Sequence, residues 1–166
     1  SEYEGGVRVP FIAAWAKPDA KNKFQKKYPI AQNAVQLQQG TVMDLYPTIL
    51  SVAHVKPPKH YALDGADLKK LFQGKEDKKH RDDFLMHFPH GEHRANYFTT
   101  YRKGDWKLIY YYHPETTGIP TWKLYNLKDD PYEKTEVSAE YPEKTASMIE
   151  QMKDRLKEEN ALYPEE

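Results

Sequence analysis

The apolar positions divide the chain into an irregular first half and a patterned second half. Val42, Leu45, Tyr46, Ile49, Leu50 and Ala53 recur at the i, i+3, i+4, i+7, i+8, i+11 spacing that lines one face of a helix. Pro47 places the start of that helix. With Thr41 as cap, the proline would remove a needed hydrogen bond. With Asp44 as cap, it occupies the third helical position, where no intrahelical donor is required. The pattern therefore predicts a helix capped by Asp44 and running to about Ala53. Phe11-Ile-Ala-Ala-Trp15, five residues without alternation between Pro10 and Pro18, predicts a short strand buried on both faces. Residues 17–40 have weak periodicity and read as a loop. Leu63 to Leu68 reads as a turn entering a helical segment near Leu68–Phe72.

Residues 73–83 are nearly all charged or polar and read as a connector. Beyond them the period becomes two. Phe84–Phe88, Asn96–Arg102, Trp106–Tyr112 and Thr121–Leu127 predict four strands, the middle two joined at Lys103-Gly-Asp105 as a hairpin. Pro142, at a helix-opening position, leads into an apolar stripe of Ile149, Met152 and Leu156. The second half is thus an α+β unit of four strands and a closing helix. The strand expected at Phe11–Trp15 has few candidate neighbours in this chain, which reads as the end of something larger. A first residue of Ser1 rather than Met points to a cut or processed end.

Charge and composition narrow the classes of function. The 25 basic and 25 acidic residues balance, which argues against a nucleic-acid binder working through a general basic surface. No apolar run approaches the length of a membrane span. With no cysteine, a disulfide framework, a cysteine nucleophile and a thiolate metal site are excluded within these residues. Aromatic residues make up 13% of the chain, enough to fill a core that is otherwise thin in aliphatics.

Candidate chemistry concentrates after the first predicted strand. His87, His90 and His93 follow an H-x-x-H-x-x-H spacing, but Pro89 and Gly91 break regular geometry, so the three do not share a face and a zinc site is not favoured. As hydrogen-bond donors, His87, His90, His93 and Arg94 suit an anionic ligand at a strand end. Exposed histidines, or histidines bonded to nearby carbonyls, are the plain alternative. The tyrosines at 110–112 with Trp106, Trp122 and Tyr125 could stack on a sugar, although aromatics at strand spacing more often pack a core. None of the serines sits in a nucleophile elbow, and no P-loop or dinucleotide fingerprint is present.

Five segments carry a family resemblance: Tyr3-Glu-Gly-Gly-Val-Arg-Val-Pro10, Asp44-Leu-Tyr-Pro-Thr-Ile-Leu50, Leu63-Asp-Gly65, Arg102-Lys-Gly-Asp-Trp-Lys-Leu-Ile109, and Leu124-Tyr-Asn-Leu127 followed by Asp130-Pro131 and Glu133. In this order they resemble the C-terminal part of bacterial, arylsulfatase-like sulfatases of the alkaline phosphatase superfamily. The resemblance implies that residues 1–72 are the last elements of a large α/β domain, 73–83 a connector, and 84–166 a smaller subdomain with a four-stranded antiparallel sheet and a closing helix. It implies sulfate-ester hydrolysis by the whole protein, on a sulfated carbohydrate or an aryl sulfate. The nucleophile is then a formylglycine made from Cys or Ser in C/S-x-P-x-R, assisted by calcium. Neither that motif nor the family's calcium ligands occur here, so the chain alone is expected to be inactive, with no catalytic or metal residue of its own.

The resemblance also implies a secreted or periplasmic protein, partnership with its own N-terminal domain, and an exposed apolar patch over residues 1–72 that favours self-association. His87-Phe-Pro-His90 is similar to a segment near the family's substrate mouth, which makes His87 and His90, then His93 and Arg94, the candidate substrate contacts. A phosphatase-type relative and a stand-alone carbohydrate- or protein-binding module built on the tyrosine-rich sheet and Trp122 are the rival readings.

Overall fold

The computed structural model describes residues 2–89 and 97–163. The described chain divides into two units, one of residues 1–10 with 82–166 and one of residues 11–81.

In the first unit, a helical turn α1 (Glu4–Val7) precedes, after the second unit, strands β1 (Asp83–Phe88), β2 (Phe98–Lys103), β3 (Trp106–Tyr111) and β4 (Trp122–Asn126), a short turn α5 (Pro114–Thr117) and the long helix α6 (Pro142–Glu158). The strands lie in sequence order, each antiparallel to the next. β2 and β3 meet at the Lys103–Trp106 pair, leaving Gly104-Asp105 as a two-residue loop with Gly104 at φ +56°. That left-handed angle is what the glycine supplies.

Successive strand residues point to opposite faces. Tyr101, Leu108 and Leu124 turn toward α6 and pack with Met148, Met152 and Leu156. The last three recur at i, i+4, i+8, so one side of α6 covers the sheet. Phe98, Ile109, Tyr111, Tyr125 and Leu127 form a second cluster on the other face, with Tyr3, Met86 and Phe88 against it. The expected α+β architecture of four antiparallel strands and a closing helix is present.

The second unit contains α2 (Lys23–Lys27), a 3-10 turn (Val42–Asp44), α3 (Leu45–Ala53) and α4 (Lys69–Phe72). α3 starts directly after Asp44, at the position Pro47 predicts, but the Asp44 side chain makes no cap bond to it; the capping box is at Thr41, which opens the 3-10 turn in front of α3. The strand expected at 11–15 does not form. A strand needs a ladder partner for its backbone groups, and among the described residues this unit holds no other strand. Phe11 instead stacks on Phe72, 5.9 Å between ring centroids, and the Trp15 indole donates to the Tyr28 carbonyl at 3.2 Å.

The apolar stripe of α3 is also turned differently from a simple core helix. Tyr46 and Ile49 are exposed and Asp44 and Thr48 are buried. Ile12, Val35 and Leu37 are exposed as well, so the apolar surface expected over the first part of the chain is there.

Candidate functional site

The first polar site begins with a residue out of place. In the apolar run Trp-Lys-Leu-Ile-Tyr-Tyr of β3, the period of two turns Lys107 away from α6 and into the opposite face, where it is only 2% exposed. A buried ammonium must be paired. Its Nζ lies 2.7 Å from Glu133 Oε1 and 3.1 Å from Glu4 Oε1, and the second Glu4 oxygen accepts from Arg102 Nη1 at 2.9 Å. The backbone N–H of Glu4 donates to Glu133 Oε2. Three of the five segments that carry the family resemblance meet in this cluster. Two positive and two negative groups cancel within it, leaving nothing to attract an anion. Its chemistry is that of a latch. Beside it, Tyr3 and Tyr111 share a hydroxyl contact of 3.3 Å, and burial, Tyr3 and the charge of Glu2 push the Tyr111 phenol far up.

The other two segments meet in the second unit. Asp44 Oδ1 accepts from Ala66 N at 2.8 Å and Oδ2 from Thr41 N at 2.6 Å, while Thr48 Oγ1 donates to Asp44 O and accepts from Leu68 N at 2.9 Å. His80 Nε2 closes the group, 3.3 Å from Asp44 Oδ2. Gly65 is required by close approach: a Cβ there would lie 2.2 Å from Met43 O. Like the first cluster, this one joins segments distant in the chain through buried polar contacts, with His80 Nε2 held by proximity to Asp44 rather than by a hydrogen bond.

The α6 face of the sheet is the open one. His87, on β1, points to this side. Its Nε2 is 2.6 Å from the Leu162 carbonyl, which can only accept, so Nε2 carries the hydrogen. In the neutral ring Nδ1 then accepts from Thr99 Oγ1 at 2.7 Å, and Thr99 in turn bonds the Tyr112 hydroxyl at 2.8 Å. Burial pushes the Tyr112 phenol up to about 12, against the lowering effect of its bond to Thr99. The imidazole also packs edgewise on Tyr112 and Tyr163. Both ring nitrogens of His87 are thus occupied by the chain itself. His90, His93 and Arg94 lie outside the described residues.

Next to His87 the sheet and the end of α6 enclose a groove of about 670 Å³. Tyr110 and Trp122 stack at 4.3 Å along it, and Lys153 and Lys157 stand on its helix side. The sequence singles out Trp122 as a stacking candidate but not Lys153 and Lys157. Their i, i+4 spacing on the closing helix was the available signal.

Among the described residues no three His, Asp or Glu side chains are grouped as a metal would need. The chain has no cysteine, and no serine stands in C/S-x-P-x-R. The formylglycine motif therefore has no counterpart in this sequence, and the described residues offer no grouped ligands for calcium.

Solved structures share the fold over part of the chain. A protein in complex with its substrate D-glucosamine-2-N,6-O-disulfate is 29% identical, with a TM-score of 0.56 over 69% of this chain and 23% of that one. A putative sulfatase from Bacteroides thetaiotaomicron matches with a TM-score of 0.57 at 21% identity, over 69% of this chain and 24% of that one, a likeness of fold. The fold is that of a sulfatase C-terminal α+β subdomain. Residues 2–161 match the family model described as N-sulphoglucosamine sulphohydrolase, C-terminal, and the chain belongs to that family. Among curated relatives, a sulfatase of Formosa agariphila is 32% identical over 93% of this chain and 27% of its own length. The N-acetylgalactosamine-6-sulfatase of Sus scrofa is 34% identical over 58% of this chain and 17% of its own length. The chain thus spans about a quarter or less of the length of these relatives. Among the described residues no helix is long and apolar enough to cross a membrane.

Proposed function

We propose that this chain is the C-terminal part of a sulfatase that hydrolyses sulfate esters of carbohydrates. The observation that carries this reading is the family match over residues 2–161, joined by the relative named for a 6-sulfated amino sugar and the structural neighbour bound to a disulfated one. In this reading, residues 1–72 are the last elements of a larger α/β domain that supplies the nucleophile, as formylglycine, and the calcium ion. Residues 84–166 are the smaller subdomain that flanks the substrate. The isolated chain is inactive. The protein works outside the cytoplasm, secreted or periplasmic.

The four candidate contact residues divide by role. His87 has both nitrogens engaged and serves by holding the chain around it. His90, His93 and Arg94 are the donors assigned to the sulfated sugar. The test is sulfate release from glucosamine-2-N,6-O-disulfate and from N-acetylgalactosamine-6-sulfate by the whole gene product. Release by the whole protein and none by residues 1–166 is expected, with Arg94→Ala raising KM more than it lowers kcat. Hydrolysis of phosphate esters in preference to sulfate esters would overturn the reading in favour of a phosphatase-type relative.

A further inference from the structure

We propose that the groove between the sheet and the end of α6 is a binding subsite for a sulfated saccharide, separate from the chemistry of ester hydrolysis. The ligand class rests on the function proposed above; the shape and charge of the groove stand without it.

Three features support this. The first is the aromatic wall. Tyr110, Tyr112 and Trp122 are half-buried, with Tyr110 ring-to-ring against both of the others, 4.6 Å from Tyr112 and 4.3 Å from Trp122. Tyr163, exposed, stands across from them. A pyranose presents a C–H face that packs on such rings, while its hydroxyls need the polar rim that tyrosine and asparagine supply.

The second feature is charge. Lys153 and Lys157 both line the groove, and among the described residues no carboxylate does. Lys153 is paired only at the surface, with Glu150 at 3.0 Å, an exposed pair that holds its ammonium weakly. Lys157 has no ion pair among the described residues. Two ammonium groups one helical turn apart beside an aromatic wall suit a sugar carrying sulfate, since charge-assisted bonds to an anion are the strong ones.

The third is that the wall is held in place. The bond from His87 Nε2 to the Leu162 carbonyl, with the imidazole against the Tyr163 ring, fixes the segment that closes the groove. That gives a positioning role to the one described residue among the four candidate substrate contacts. The volume, about 670 Å³, falls within the roughly 300–1,000 Å³ of small-ligand sites. The groove also opens at the end of the sheet where β1 finishes and β2 begins, since Phe88 pairs with Phe98 and Phe98 with Tyr111.

The experiment titrates residues 1–166 with a sulfated glycosaminoglycan disaccharide and with its desulfated counterpart, following tryptophan emission and the indole N–H resonance of Trp122. The sulfated sugar is expected to bind, and the desulfated one about tenfold or more weakly. The double variant Lys153→Gln, Lys157→Gln, at exposed positions that leave the fold intact, should erase that difference. Tyr163→Ala should weaken both ligands. Equal binding of the two sugars, no binding at millimolar concentration, or sulfate-dependent binding that survives in the lysine variant would overturn the proposal. So would equal displacement by inorganic sulfate, which marks a simple anion site, or equal binding of an acidic peptide. Sulfate release by the whole protein without binding here removes this inference and leaves the proposed function. Binding here without sulfate release does the reverse.

Discussion

The two units are held together in different ways. Residues 82–166 rest on regular structure: a ladder of antiparallel pairs, an amphipathic helix and an apolar cluster between them, with one buried ionic cluster on the far face. Residues 11–81 contain short helices and no strand among the described residues, and much of their apolar surface is exposed. Their order comes from Asp44 and Thr48 bonding the backbone of distant segments, and from a glycine that lets two strands of chain touch. Burial carries the first unit; polar satisfaction carries the second. The five segments that carry the family resemblance meet in the polar clusters of both.

That contrast can be broken unit by unit. The largest effect is expected from Lys107→Ala, which takes the ammonium from Glu133 and leaves Glu4 with Arg102 alone in the sheet's far face, and should cost about 3–5 kcal/mol. Denaturation followed by Trp106 and Trp122 in a Trp15→Phe background reports the first unit alone, and its midpoint should fall. Next comes Gly65→Ala. With backbone 2.2 Å from the new Cβ, the turn must open, at a cost of about 1–3 kcal/mol or more. Trp15 emission in a Trp106→Phe, Trp122→Phe background should report the loss, while the first unit is unchanged. A Gly65→Ala variant that lowers the first unit's midpoint instead would contradict the division.

The smallest effect is a pH dependence. Burial opposes ionisation of Glu136, but the amides of Leu124 at 2.9 Å and Ser138 at 2.7 Å donate to its carboxylate and hold it below the usual range. A carboxyl lowered on folding contributes stability above its unfolded value and loses it as pH falls through the folded value. Glu136→Gln should therefore cost about 1 kcal/mol or less at neutral pH and flatten the acid side of the first unit's stability curve. An acid limb unchanged in the variant would sharpen the comparison by moving the pH response to other carboxylates.

What could be read from sequence follows the same contrast. The four strands, the Gly104 turn and the helix opening at Pro142 are local patterns of period and punctuation, and they appear where expected. The start of α3 after Asp44 is legible because a proline admits few positions in a helix, whereas the capping box at Thr41 is the option that the proline argument sets aside. The strand expected at Phe11–Trp15 failed because an apolar run fixes burial, not pairing, and Phe11 found a ring instead of a ladder. The clusters were not legible because their members lie far apart in the chain: Glu4 and Lys107 are 103 residues apart, and His87 and Leu162 are 75. The one local sign was a lysine in the middle of an apolar strand, which demands a buried partner without naming it.

The central claim is that the segments carrying the family resemblance work as latches, and the buried cluster of the first unit is where it is most exposed to test. A double-mutant cycle on Glu4→Gln and Lys107→Met, read from urea midpoints of the Trp15→Phe chain, measures the coupling between two of the segments directly. The account predicts an interaction energy of about 1.5–3 kcal/mol. Additivity within about 0.5 kcal/mol would show that the two segments are not fastened to each other, and would contradict it.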